Sequence, residues 1–203
     1  MIAQTTDDWE YIIIDDGSTD DTREVVSALI SNYPQIQYQY SNNQGTSKAR
    51  DLGCSFARGR YITFLDSDDE YLPSHLESRL NILSANPSIE LLHGGVEIIG
   101  DPYVADKFNP SQKIHLAECV IGGTFFIRRD LWKRTGGFGN IAYGDDTDFF
   151  AKAKTAGALI VTTDLPTYKY YRTEADSLCK IVEVEGLAGI ENYRNSVPHA
   201  KRD

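Results

Sequence analysis

Two short apolar runs, each ending abruptly in aspartates, constrain this chain more than any other feature. "EYIIIDDGSTDDT" occupies residues 10–22 and "RYITFLDSDDEYLP" residues 60–73. An apolar run of strand length, bounded by turn residues, reads as a strand buried on both faces, as inside a parallel sheet. Each run leads into residues that suit a helix start. Thr19 or Asp20 can cap the first helix, and Pro73 fits the opening turn of a later one. Val25, Val26, Leu29 and Ile30 mark the inner face of the first, and Leu76, Leu80 and Leu83 that of the later one.

Between these runs, "IQYQY" at 36–40 alternates and predicts another strand. Residues 46–57 predict a helix with Ala49, Leu52 and Phe56 inward, ended by Gly59. The order strand, helix, strand, helix, strand, helix predicts an α/β fold with helices on the faces of a sheet. Further along, the pattern predicts a strand over 89–99, a polar loop over 100–116 and a strand over 119–127 broken by Gly122 and Gly123. A helical turn at 131–134, a helix over 145–156 and a strand over 158–162 follow. The acids opening the 145–156 helix suit its dipole. One domain over 1–175 and a polar, partly helical tail over 176–203 are the expected units.

Composition narrows the function. Hydrophobic residues at 41% and aromatics at 11% supply a core, which excludes general disorder. A net charge of -10 argues against nonspecific nucleic-acid binding, which needs a basic surface. No apolar run approaches the about 20 residues of a transmembrane helix, and "MIAQTTDDWE" lacks the pattern of a signal peptide. The expected place is the cytoplasm, including the inner face of a membrane. Cys54, Cys119 and Cys179 show no zinc spacing and read as ordinary buried or half-buried thiols. His75, His93, His115 and His199 are scattered and read as surface or partly buried residues.

In an open α/β sheet, ligands bind beyond the carboxyl ends of strands, and both acidic knots stand there. Asp66 and Asp68 are two apart, so on extended backbone their carboxylates face the same way. Two close carboxylates repel unless a cation intervenes, and hard oxygens suit Mg²⁺ or Mn²⁺ shared with substrate phosphates. Either knot alone also fits a capped turn; two on successive strand ends point to a site. A third cluster, Asp145, Asp146 and Asp148 in "YGDDTDFFAKAK", fits a helix start or a general base acting on a hydroxyl.

These residues together resemble the family 2 glycosyltransferases, which have the GT-A nucleotide-sugar-binding fold, a Rossmann-like mixed sheet flanked by helices. The matching stretches are "DWEYIIIDDGSTDDT", "NNQGTSKARDLGCSFARGRYITFLDSDDEYLP", "RRDLWKRTGGFG" and "YGDDTDFFAKAKTAG", with "YYRTEADSL" a weaker one. The resemblance implies that Asp16 contacts the nucleotide base and that Arg50 lines the nucleotide site. It puts Asp66 near the ribose, Asp68 on a metal and the diphosphate, and Asp146 in the role of base in inverting members. Asp145 stands where the family commonly has Glu, Asp51 where it usually has Asn, and Glu174 where it often has His. Lys169 and Arg172 fit exposed surface bases or partners for diphosphate charge.

The implied function is transfer of a sugar from a UDP-, GDP- or dTDP-linked donor to a hydroxyl on a glycan, a lipid-linked sugar or another acceptor, with Mn²⁺ or Mg²⁺. A GT-A domain that binds nucleotide sugar or a protein partner without turnover is the alternative. A phospho-receiver domain, the other acid-rich α/β class, lacks its later-strand Lys here. Family members also carry an earlier strand-helix unit, on the order of 30 residues, whose strand would lie between 11–15 and 61–65. Those two segments are therefore expected to pair directly, or to admit a strand from a second copy in a homodimer.

Overall fold

A computed structural model describes residues 1–106, 108–109, 111–173 and 178–196, and the side chains of 194–196 lie outside the description. The expectations for Glu174 and His199 therefore fall outside the described residues. The elements run β1 (Tyr11–Asp15), α1 (Thr22–Asn32), β2 (Ile36–Tyr40), α2 (Thr46–Phe56), β3 (Tyr61–Thr63), β4 (Glu70–Tyr71) and α3 (His75–Ala85). Then come β5 (Leu91–His93), β6 (Val96–Gly100), β7 (Tyr103–Ala105), β8 (Lys113–His115), β9 (Phe126–Arg128), α4 (Arg129–Thr135) and α5 (Asp145–Thr155). β10 (Ile160–Thr162), β11 (Tyr168–Arg172), α6 (Leu178–Glu185) and α7 (Leu187–Ser196) complete the chain. The alternation expected of the first half is present, and the fold is a mixed α/β arrangement of sheets flanked by helices.

Among the described residues, the strands group into four sheets. β1 pairs with β2 in parallel, and β10-β5-β9-β3 forms a mixed sheet. β11 lies between β4 and β6, and β7 with β8 makes a hairpin. The main core packs Leu91, Phe125, Ile127, Leu131, Phe138 and Phe149 between the mixed sheet and helices α4 and α5. A second cluster on the other face holds Tyr71, Leu76, Leu83, Leu92, Phe126 and Tyr168.

Several expectations are corrected. The strand expected over 89–99 is two strands in different sheets. Gly94 and Gly95 break it with φ of 90° and 73°, and a Cβ at Gly95 would sit 2.0 Å from the Leu165 carbonyl. The buried Arg79 guanidinium fastens this kink, donating to the carbonyls of Gly94 and Leu165 at 3.0 Å each. The expected loop over 100–116 contains the β7–β8 hairpin, and the strand expected over 119–127 is shortened to β9 by a 3₁₀ turn at Gly122–Thr124. Strand β11 had no expectation. On α2 the buried face is Ser47 and Cys54, while Phe56 faces outward. His75 is fully buried, stacked on Tyr71 at 3.8 Å with Nδ1 against the Thr167 hydroxyl, because it enters the core on the inner face of α3. Burial and the nearby Arg79 push its imidazole down to about 3.

Direct pairing of β1 with β3 does not occur. β1 is carried by β2 and by α2, whose Gly53 has no side chain to push Ile14 away; β3 is carried by β9. Between them lies a cavity of about 680 Å³ walled by Ile12, Ile14, Gly53, Ile62, Phe64 and Leu80, among others. At the amino ends Glu10 crosses the gap, accepting the N–H groups of Arg58 at 2.7 Å and Gly59 at 2.9 Å. Glu10 needs its whole side chain and a hydrogen bond to make that reach, a separation wider than the about 4.8 Å of a direct ladder.

Candidate active site

Residues from four elements meet beyond the carboxyl ends of β1 and β3. Arg50, from the middle of α2, is the hub. Its Nη2 donates to both oxygens of Asp66 at 3.1 Å, and its Nη1 donates to Asp145 Oδ2 at 2.9 Å. The guanidinium is about 10% exposed and lies over the rings of Phe64 and Phe138. Burial alone would disfavour its charge, but Asp66, Asp145 and Asp146 more than offset that, and the group stays ionised. Arg50 thus joins the strand-end acids to the first turn of α5 by one side chain.

Asp146 follows in that first turn. Its carboxylate accepts the N–H of Thr147 at 2.6 Å and that of Gly122 at 3.2 Å. Burial pushes its carboxyl above the usual range, the charge of Asp145 adds to the effect, and Arg50 opposes it. A carboxylate with raised affinity for a proton at the edge of a site has the chemistry of a general base. Gly122 must be small here: a Cβ would lie 2.9 Å from Arg50 Nη1 and 3.1 Å from the Cβ of Asp146.

The sequence candidates divide by what holds them. Asp66, Arg50 and Asp146 are brought together with Asp145. Asp16 sits at the end of β1, and its carboxylate accepts from Ser41 Oγ at 2.8 Å and from the N–H groups of Gln44 at 3.0 Å and Gly45 at 2.7 Å. It therefore fixes the 41–45 loop at the rim of the site. Asp68 stands in the turn after β3, between Asp66 and Asp69. Asp69 is turned inward, accepting from the hydroxyl of Tyr168 and, at 2.9 Å, the N–H of Tyr171. Burial raises its carboxyl to about 7, with Asp68 and Asp66 adding to the rise.

Other basic residues serve elsewhere. Lys169 pairs with Glu70 at 3.2 Å on the surface. Arg172 is buried rather than exposed: it pairs with Glu183 of α6 at 2.8 Å and donates to the Tyr103 carbonyl at 2.8 Å, pinning α6 to the β7 strand. Asp51, to which no role was carried over, accepts from Trp132 Nε1, Phe138 N and Gly139 N at 2.9, 2.9 and 3.0 Å. It anchors the "GGFG" loop beside the site.

Sequence reasoning missed Tyr168 and the Gly122–Gly123 pair as builders of this region. A Cβ on Gly123 would fall 2.1 Å from Tyr168 Oη. The double glycine was the available signal, read as a break in a strand rather than as room for a tyrosine.

The donor set around Asp66 and Asp68 is all hard oxygen, which fits Mg²⁺ or Mn²⁺ in type. Among the described residues, no group of three or more His, Cys, Asp or Glu side chains is arranged to hold an ion by itself. An ion here would take its remaining ligands from phosphate oxygens and water, as Mg²⁺ commonly does.

The sequence model of Glycosyl transferase family 2 matches residues 1–134. The chain belongs to that family. Among curated relatives, the Escherichia coli UDP-Glc:alpha-D-GlcNAc-diphosphoundecaprenol beta-1,3-glucosyltransferase WfgD is 34% identical over 127 residues, covering 60% of this chain and 49% of WfgD. An uncharacterized glycosyltransferase of Haemophilus influenzae is 29% identical over 162 residues, covering 75% of this chain and 54% of that protein. The chain thus spans about half the length of these two relatives. Among solved structures, Staphylococcus aureus TarS 1–349 in complex with UDP superposes with a TM-score of 0.67 at 22% identity, covering 83% of this chain and 53% of that one. That likeness makes the fold GT-A. No helix among the described residues is long and apolar enough to cross a membrane.

Proposed function

We propose that this chain is the catalytic part of an inverting glycosyltransferase, moving a sugar from a nucleotide-diphosphate donor to an acceptor hydroxyl. The observation that carries the reading is the Asp66–Arg50–Asp145 bridge. It holds the donor-side acids and the Asp146 base within the span of one guanidinium. Asp16 and its loop would line the base of the nucleotide, and Asp66 the ribose. Asp68 would hold Mg²⁺ or Mn²⁺, which when bound supplies positive charge to the leaving diphosphate. Asp146 would take the proton of the attacking hydroxyl, and its raised proton affinity strengthens it for that task. WfgD is named for a UDP-glucose donor and a lipid-diphosphate acceptor, and TarS was captured with UDP. Those names favour a uridine donor and a glycan or lipid-linked acceptor for this chain.

Asp146→Asn tests the assignment. Transfer should fall by about 10²–10⁴-fold, the usual worth of a general base. Calorimetric binding of UDP-glucose or UDP-GlcNAc should stay within about twofold, because a base acts on the acceptor. A variant that keeps its transfer rate removes Asp146 from the mechanism. Equal UDP affinity with and without Mn²⁺ in the parent chain would count against the Asp68 assignment.

A second reading is binding without turnover, favoured by the cavity that reaches Arg50 and Asp66 from the side of β1. Donor hydrolysis measured beside UDP binding separates the two: binding with no hydrolysis and no transfer to any acceptor supports the second.

A further inference from the structure

Ser47, Arg50, Asp51 and Cys54 share one face of α2 at helical spacing, and the polar ones read along a single segment of chain. Asp51 accepts the N–H groups of Phe138 at 2.9 Å and Gly139 at 3.0 Å. Ser47 meets Ile141, and Arg50 meets Asp145 at 2.9 Å. The stretch 138–144 between these anchors has no helix or strand of its own. Main-chain hydrogen bonds hold its borders: the Gly137 N–H donates to the Trp132 carbonyl at 3.1 Å, and the Asp148 N–H to the Gly144 carbonyl at 3.2 Å. What lies between is placed by side chains.

Ser47 is 1% exposed, and its hydroxyl acts in both directions. It donates to the Ile141 carbonyl at 2.9 Å and accepts the Ile141 N–H at 3.2 Å. One hydroxyl therefore satisfies both main-chain polar groups of a residue midway along the segment. Soon after, the chain enters α5 with Asp145, and Asp146 follows. Lys152 of α5 reaches back and donates to the Gly137 carbonyl at 3.2 Å, so the helix is tied to the start of the segment that leads into it. Segment and helix form one closed unit, and α2 is what that unit is set against: Asp51 at its start, Ser47 at its middle, Arg50 at its end.

We propose that Ser47 is a positioning residue for the Asp146 carboxylate: by holding both main-chain groups of Ile141, it fixes where the first turn of α5 stands against Arg50 and the Gly122 turn. Ser47 touches no reacting group and acts only through the segment. A base must be placed closely, since a misplacement of about 1 Å can cost about 100-fold in rate. Arg50 is poorly suited to set that place. The serine side chain is short, so its oxygen keeps a fixed offset from the helix, whereas the long arginine side chain can follow a carboxylate that moves. Asp51 fixes the segment too, but at its far end from Asp146. The inference rests on the reading of Asp146 as the base.

Ser47→Ala in the 203-residue chain tests this. In amide hydrogen exchange the Ile141 amide should exchange about tenfold faster or more. The Gly122 amide should quicken with it, because its N–H donates to Asp146 at 3.2 Å and so reports where that carboxylate stands. The Ile127 amide in β9 should not change. In release of UDP from UDP-glucose with Mn²⁺, water serving as acceptor, kcat should fall about tenfold or more while KM for the donor stays within about twofold. Faster exchange at Ile141 with Gly122 unchanged overturns the proposal, since Ser47 would then hold the loop and not the carboxylate. Equal acceleration at Ile127, which marks a general loss of stability, overturns it too, as does an unchanged kcat. In a chain with no measurable turnover the exchange pattern decides. The inference and the reading beneath it fail separately. If Asp146→Asn keeps its kcat, Asp146 is not the base. If Asp146→Asn loses its kcat, adding Ser47→Ala should cost nothing further, and a full additional loss would mean that Ser47 acts by another route.

Discussion

Strands β1 and β9 are both apolar, yet they stand in opposite situations. β9 pairs on both edges, with β3 and β5, and its Phe126 and Ile127 are fully buried. β1 carries three consecutive isoleucines, pairs on one edge only among the described residues, and leaves all three half-buried. Composition made both strands; pairing on the second edge decides which of them becomes core. The difference teaches where the stability of this fold resides. The mixed sheet with α4 and α5 is a closed, packed body, while the β1–β2 pair is held to it through side chains: Glu10 at one end of the cavity, and at the other α2, which packs on β1 and sends Arg50 to Asp66 and Asp145.

Truncations test the comparison most strongly. Ile127→Ala removes a side chain from the sealed core and should cost about 2–5 kcal/mol in urea denaturation. Ile13→Ala on β1 removes the same atoms from a half-exposed position and should cost about 1 kcal/mol. Equal costs would mean that β1 is as deeply packed as β9 in solution.

Arg50→Met comes next, because it cuts the link between the two bodies. It leaves Asp66 and Asp145 without their cation. Breaking a buried pair costs about 3–5 kcal/mol, and the partial exposure of Asp66 places this one near 3. A loss as large in Arg50→Lys, which keeps the charge but not the planar guanidinium, would mean that Arg50 matters for its packing on Phe64 and Phe138 and not for its charge.

The same contrast explains what was legible in the sequence. β1 and β2 were readable to the residue because each is a continuous or alternating apolar run with turn residues on both sides. The helices α2, α3 and α5 followed from periodicity and capping. The β6–β11 ladder was not readable, since its strands lie about seventy residues apart and their pairing depends on the Gly94–Gly95 kink that Arg79 fastens. A buried arginine bonded to carbonyls leaves no pattern in a sequence. In the candidate site, the strand-end position of Asp66 and the helix-start position of Asp146 were visible. The bridge between them was not, because it needs α2 and α5 to be brought together by the fold. Asp16 and Asp51 show the limit from the other side: the sequence does not reveal that each carboxylate accepts the N–H groups of a neighbouring loop and holds it in place.

The smallest effect belongs to Glu10, and it tests the bridge across the cavity. Burial acts to raise its carboxyl, but the N–H groups of Arg58 and Gly59, with the Arg58 guanidinium, outweigh that and hold it below the usual range. A group depressed in the folded state stabilises the fold above its unfolded value, about 4.3 for Glu, and loses that contribution as pH falls through its folded value. Glu10→Gln keeps the shape and removes the charge, so it should cost about 1 kcal/mol at neutral pH, held down by the exposure of Arg58. The gap in Tm between parent and variant should be steady above about pH 5 and close as pH falls through the range below 4.3. A gap that stays constant down to pH 3 would mean that Glu10 holds β1 beside β3 by its length alone. The carboxylate would then be a spacer, and the separation of the two edges would be set by α2 and not by this bond.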